Sequence, residues 1–304
     1  MDRRVIDLAA PLRWLLVHLL VAPFRGPRSA RAYAAIWTEQ GSPLLVHGRA
    51  LRQALADALP DRRVALGMRY GHPTIAAALD ELGPVDELVV LPLYPQYASS
   101  SAGSALEAVY AELARREHVP SVRAVPPFWR DAGWLDAQAA LGRDAVAAAD
   151  HVLFSYHSIP VRHVVRAAPA GTPCARTDAC CAAVPPWCYR AQCLDTTRRL
   201  AERLGLPPDR VTTSFQSRLG RDEWLGPSTV DTLRALGARG GTLAVFTPSF
   251  TADNLETIEE IGLEGARTFT AAGGRALLRV PCVNAERAWV VAAARLARGS
   301  DDDA

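Results

Sequence analysis

The sequence predicts an α/β fold built as two similar Rossmann-like halves, each a parallel sheet flanked by helices. Three observations lead there. Apolar, β-rich runs recur along the chain and are nearly continuous rather than alternating, as strands buried on both faces require. Ala- and Leu-rich stretches with helical periodicity separate them, among them IAAALDEL (75–82) and LDTTRRLAERL (194–204), the alternation that parallel sheets need. Polar residues gather just beyond the runs, at the carboxyl ends where open α/β sheets bind ligands.

Taken in order, residues 1–60 read as helix and loop. The first expected strand is Val64–Tyr70, followed by Glu87–Pro95 and Ser121–Pro127. The second half offers His151–Ile159, Val211–Ser217, Gly241–Phe250 and Ala276–Asn284. If the halves are alike, each sheet should have one more strand than the first half supplies, so the first half is expected to lack its opening strand. Losing a central parallel strand is expected to cost far more than the usual ~5–15 kcal/mol of net stability, and activity of the chain as it stands is expected to suffer. The expected division is residues 1–135 and 136–304, the second carrying a cysteine-rich insert at 170–193.

Composition narrows the function. The 304 residues suffice for two ordinary domains. A net charge of +2 gives no electrostatic case for nucleic acid. No lysine occurs, which excludes a lysine Schiff base and a P-loop. The apolar stretch Trp14–Phe24 is too short to span a bilayer and contains His18 and Pro23; it reads as a buried helix or surface lip, with peripheral membrane contact as the alternative. The expected location is cytoplasmic, where disulfides are rare.

Three strand ends carry candidate chemistry. In FSYHSIP, His157 follows an apolar run; it is either a structural histidine or a base suited to neutral pH, its free pKa being ~6.5. In FTPSFTADNLETIEEIGLEG a helix is expected to begin near Asp253 as N-cap. Glu256, Glu260 and Glu264 then recur every fourth residue on one face, either a solvated acidic face or a ladder of hard oxygen ligands for a divalent cation. In LPLYPQYASSSAGS, Tyr94, Gln96, Tyr97 and Ser99 precede a helix whose start either takes an anionic group or is simply capped.

These stretches, with IWTEQGSPL, GMRYGHP, QCLDTTRRLAERL and SFQSRLGRDEWLGP in the same order, resemble the ferrochelatase family over nearly the whole chain. The resemblance implies two chelatase-type domains, each a four-stranded parallel sheet, with a cleft between them where ferrous iron enters a porphyrin, protoporphyrin IX or a coproporphyrin. It implies that His157 takes pyrrole protons or meets the metal and that Glu256 faces it. Glu260 and Glu264 would continue the acidic row. Tyr94, Gln96, Tyr97, Ser99 and Trp224 would approach the macrocycle, and no organic cofactor is needed. Asn254 stands where many relatives carry histidine, and asparagine cannot titrate.

The stretch TDACCAAVPPWCYRAQC (177–193) crowds four cysteines, with Cys174 just upstream. Metal or cluster ligands, a disulfide staple and unligated thiols are the possible readings. The spacing fits a zinc site poorly, since such sites pair cysteines two to four apart; iron–sulfur clusters take four thiolates at varied spacing. The insert resembles that of the bacterial ferrochelatases holding a 2Fe-2S cluster. That resemblance implies Cys174, Cys181, Cys188 and Cys193 as ligands, with Cys180 as alternate to Cys181. Cys282 reads as a buried structural thiol. Two rival readings are a chelatase for another metal or tetrapyrrole, such as cobalt or nickel, and an inactive porphyrin-binding iron–sulfur sensor.

Overall fold

The computed structural model of the chain describes residues 4, 10–15, 22–170, 177–218 and 222–299. Helices α1 (Ala10–Leu15), α2 (Ala22–Ile36), α3 (Pro43–Ala58) and α4 (Ile75–Leu82) precede strand β1 (Glu87–Val90). A π-helical segment, π1 (Ser99–Gly103), runs into α5 (Ser104–Leu113), and β2 (Ser121–Ala124) follows. Then come α6 (Ala132–Ala147), β3 (His151–His157), α7 (Val161–Ala167), α8 (Asp178–Ala182), α9 (Tyr189–Arg203) and β4 (Val211–Gln216). After α10 (Thr229–Gly237) and β5 (Thr242–Phe246), a second π segment, π2 (Glu256–Gly265), continues as α11 (Ala266–Ala271); β6 (Ala276–Arg279) and α12 (Arg287–Arg298) end the described fold.

The four strands expected in the second half form one parallel sheet in the order β4-β3-β5-β6. The first half differs from expectation: its sheet has two parallel strands, β1 and β2, and Val64–Tyr70 is not a strand. In the larger sheet β4 pairs with β3 alone. Residues 64–70 hold the corresponding place in the first half, and among the described residues no strand lies where a partner would be. Two of their backbone groups find other partners: Arg52 Nε donates to the Val64 carbonyl (3.0 Å) and the Met68 N–H to that of Pro73 (2.8 Å).

The halves share one pattern closely. β1–π1–α5–β2 and β5–π2–α11–β6 are the same succession, with the flanking strands paired as parallel neighbours. The two central strands of the larger sheet, β3 and β5, are buried on both faces, which accounts for their apolar runs. Val152, Phe154 and Tyr156 of β3 join Trp134, Phe246 and Trp289 on one side, while Leu153 joins Leu233, Ile261 and Phe269 on the other, as the two-residue period of a strand dictates. Phe154 and Phe246 stack at 4.9 Å, each burial stabilising by roughly 1.5–3 kcal/mol. The result is a rigid platform whose carboxyl edge presents the polar residues. No described helix is long and apolar enough to cross a membrane.

Candidate active site

β3 ends on His157, and its register against Gln216 of β4 brings both residues to the carboxyl edge of the sheet. Nδ1 of the imidazole lies 2.7 Å from the Ser158 carbonyl oxygen. A carbonyl only accepts, so in the neutral ring Nδ1 carries the proton and Nε2 keeps its lone pair. Among the described residues Nε2 has no hydrogen-bond partner. The His157 N–H donates to Ser249 Oγ (2.9 Å), and its carbonyl accepts from the Tyr189 hydroxyl (2.8 Å). Phe250 meets the ring edge-on, 6.2 Å between centroids.

The acidic row lies on π2 rather than on the expected α-helix. Hydrogen bonds from i to i+5 widen each turn, and residues four apart still share a row. Glu256 and Glu260 are half-buried and Glu264 is exposed, so the row runs from the interior to solvent. Asn254, not Asp253, caps the turn leading in. Its Oδ1 accepts from Thr257 N (3.1 Å) while Thr257 Oγ1 accepts from Asn254 N (3.0 Å), a reciprocal pair of the capping-box kind. Asp253 is instead buried against Arg279 and accepts from Asn284 Nδ2 and Thr257 Oγ1, both at 2.9 Å. A guanidinium partner binds a carboxylate more strongly than a neutral cap does, which explains the exchange.

Ser217, just past β4, has φ of 64°, a left-handed conformation uncommon for a residue with a side chain. It aims both the backbone N–H (2.8 Å) and the hydroxyl at the Glu260 carboxylate. Burial pushes the Glu260 pKa up; the two Ser217 bonds and the nearby His157 act against this, and Glu256 adds to it. Gln216 Nε2 donates to the Glu256 carbonyl (3.1 Å), so the end of β4 grips π2 twice. Ser217's importance was readable only as a polar residue beyond an apolar strand.

The first half supplies the opposite wall. Burial raises the pKa of Tyr94, with Arg69 opposing and Glu256 adding. Tyr33 of α2 is likewise raised by burial and then by Glu256. Tyr33 and Arg69 escaped the sequence reading because nothing local distinguishes them. Gln96 is 2% exposed and ties the halves together, its Nε2 donating to Thr196 Oγ1 (3.1 Å) and the Pro248 carbonyl (3.3 Å). The Tyr97 N–H donates to Gln192 Oε1 (2.7 Å), and Ser99 accepts from Arg4 (2.9 Å). Trp224, half-buried, bridges to Pro160 just beyond His157.

The described cysteines are all free thiols, so no disulfide staple forms among them. Cys188 caps α9, its Sγ accepting from Ala191 N (3.4 Å), and Arg190 donates to Cys181 Sγ (2.8 Å). Burial drives the Cys193 thiol pKa well up; the Tyr189 hydroxyl opposes, Cys188 adds, Arg190 opposes and Cys181 adds. Cys181 and Cys188 thus lie close enough to Cys193 to act on it, and burial disfavours its negative form. Cys180 is half-exposed on α8, and Cys174 lies outside the described residues. Cys282 is buried apart, 3.8 Å from Thr247 Oγ1. Among the described residues no three His, Cys, Asp or Glu side chains are gathered as a metal-holding group.

The chain matches the profile of the ferrochelatase family over residues 1–300. It belongs to the ferrochelatase family. A ferrochelatase from Legionella pneumophila (strain Corby) is 43% identical over 293 residues, covering 96% of this chain and 88% of the relative. One from Opitutus terrae is 44% identical over 292 residues, covering 93% and 85%. A solved multi-domain protein from Deinococcus radiodurans, described as structurally similar to chelatases, aligns with a TM-score of 0.48 at 17% identity; it covers 82% of this chain, which spans about half (51%) of that one. As a ferrochelatase the protein is a metal chelatase, a lyase of haem synthesis whose substrates are a porphyrin and iron.

Proposed function

We propose that the protein inserts ferrous iron into protoporphyrin IX, with His157 as the proton acceptor and Glu256, Glu260 and Glu264 as the path along which iron sheds water. One observation carries this reading: the Nδ1–Ser158 bond leaves the Nε2 lone pair of His157 open at the sheet edge. Insertion exchanges two pyrrole protons for one Fe2+, so a base must stand at the macrocycle. The row of carboxylates, exposed at Glu264 and half-buried at Glu260 and Glu256, provides hard oxygen ligands that replace water stepwise. Burial raises the Glu260 pKa, which suits that carboxyl to taking a proton onward. Tyr94, Gln96, Tyr97, Ser99 and Trp224 are the residues assigned to the macrocycle rim, where binding energy from remote contacts offsets the strain of bending the ring.

The same reading assigns a 2Fe-2S cluster to Cys174, Cys181, Cys188 and Cys193. The donor set supports it: Cys181 on α8, Cys188 at the cap of α9 and Cys193 within α9 are all buried, whereas Cys180 is the more exposed alternate. Insertion transfers no electrons, so a bound cluster supplies structural or sensing chemistry.

The test is an anaerobic assay of haem formation from ferrous iron and protoporphyrin IX, with coproporphyrin in parallel. Haem should appear with the wild type and be lost in His157→Ala. Undiminished insertion by His157→Ala would remove the histidine from its role, and preference for coproporphyrin would overturn the substrate. Before substrates are added, absorption at roughly 300–600 nm is the signature expected of sulfide-bridged iron. Cys188→Ser should bleach it while Cys180→Ser leaves it.

A further inference from the structure

Behind the site lies a column of buried polar side chains that the insertion chemistry does not itself use. Ser155 of β3 and Ser214 of β4 are register partners, and Gln216 stands two residues beyond Ser214. Residues two apart on a strand share a face, here the face that α10 covers through Leu153 and Leu233. Thr229, the first residue of α10, meets the column from above. Ser155, Ser214, Gln216 and Thr229 are each at most 2% exposed.

Hydrogen bonds join these side chains in one line. Ser155 Oγ donates to Gln216 Oε1 at 2.7 Å, the Ser155 and Thr229 hydroxyls lie 2.8 Å apart, and so do those of Ser214 and Thr229. Gln216 Nε2 donates to the Glu256 carbonyl at 3.1 Å. That last bond fixes the direction of every proton. A carbonyl only accepts, so the amide turns its nitrogen to Glu256 and its oxygen to Ser155. Each hydroxyl has one proton. Ser155 commits its own to Gln216, so Thr229 donates to Ser155 and Ser214 to Thr229. Without the Thr229 hydroxyl the Ser155 proton is free to turn away, and the Gln216 amide loses its constraint in surroundings where no water replaces it. The Gln216 backbone meanwhile braces the other side of the site. Its carbonyl accepts the Ser158 N–H (2.8 Å), and the Ser158 carbonyl holds His157 Nδ1.

We propose that Thr229 is a positioning residue for iron insertion: through Ser155 it locks the Gln216 amide, and so sets where π2 begins and where Glu256 stands relative to His157. This assignment rests on the reading of Glu256 as the inner end of the iron route.

The test uses the full chain, purified anaerobically, and the steady-state kinetics of ferrous insertion into protoporphyrin IX. Thr229→Val keeps the shape of the side chain without its hydrogen bonds, and Thr229→Ser keeps the hydroxyl. Thr229→Val should raise the KM for ferrous iron about fivefold, the size of one hydrogen bond, and leave the KM for porphyrin unchanged. Thr229→Ser should restore the wild-type value. A smaller folded fraction lowers kcat and moves neither KM, so this split separates positioning from destabilisation. On a Gln216→Leu background Thr229→Val should add nothing. An unchanged iron KM, an equal rise in both backgrounds, or a Thr229→Ser variant as impaired as Thr229→Val would each overturn the proposal. The side-chain amide NMR signals of isotope-labelled Gln216, assigned by their loss in Gln216→Leu, are read on the same samples. They should move in Thr229→Val and stay in place in Thr229→Ser. A wild type that forms no haem would refute the insertion reading while these signals still judge the lock; unmoved signals beside an active wild type would refute the lock alone. If Thr229→Val fails to fold by circular dichroism, Ser155→Ala breaks the same line and must give the same KM split, or the proposal fails.

Discussion

Asp253→Ala removes the anchor at the entrance to the acidic row. Asn284 Nδ2 and Thr257 Oγ1 each lose an acceptor at 2.9 Å, at about 1 kcal/mol apiece. Arg279 loses its ion pair; its side chain is 25% exposed, so water takes over part of the loss. That contribution is about 1–2 kcal/mol, below the ~3–5 of a fully buried pair. The total, about 3–4 kcal/mol, is a large share of a stability of ~5–15 kcal/mol and corresponds to a fall in Tm of roughly 6–15 °C. Urea unfolding followed by circular dichroism measures the first quantity and a thermal scan the second. Because Thr257 also braces Asn254, haem formation should decline at temperatures where the variant is still folded. A loss below about 1 kcal/mol would mean that the buried carboxylate does not hold π2, and the reasoning from its partners would be wrong.

Two other substitutions follow from the same structure. The Glu260 pKa is raised on folding, chiefly by burial, so between its ordinary value and the raised one the native state binds more protons than the unfolded chain. Stability contributed by this group therefore falls as pH rises through that window. Glu260→Gln, which does not titrate, should gain stability over wild type from acidic to neutral pH while losing haem formation; a gain that shrank with rising pH would contradict the sign. Gly142→Ala would place a Cβ 2.0 Å from the Phe246 ζ carbon, and the stacking on Phe154 keeps that ring from yielding. Overpacking of this kind costs about 1–3 kcal/mol, read as a lower urea midpoint; an unchanged midpoint would show that the contact relaxes freely.

Local composition determined much of this protein. The apolar runs of β3 and β5 specify strands buried on both faces, because each run carries its own hydrophobic faces. His157 at a strand end and glutamates four residues apart are likewise properties of short stretches. So is IAAALDEL, which coincides with α4. Tertiary structure decided what depends on a partner distant in sequence. Val64–Tyr70 has a strand's composition but no neighbouring strand among the described residues, and a strand is made by its neighbour's hydrogen bonds. Asp253 and Asn254 are both good caps, and Arg279, 26 residues on, draws Asp253 away and leaves the cap to Asn254. Ser217 acquires its importance from Glu260, 43 residues later, and Tyr189 from the His157 carbonyl, 32 residues before it. Burial and hydrogen bonding between remote segments exist only once the chain has closed, so the residue types were legible in the sequence and their partners were not.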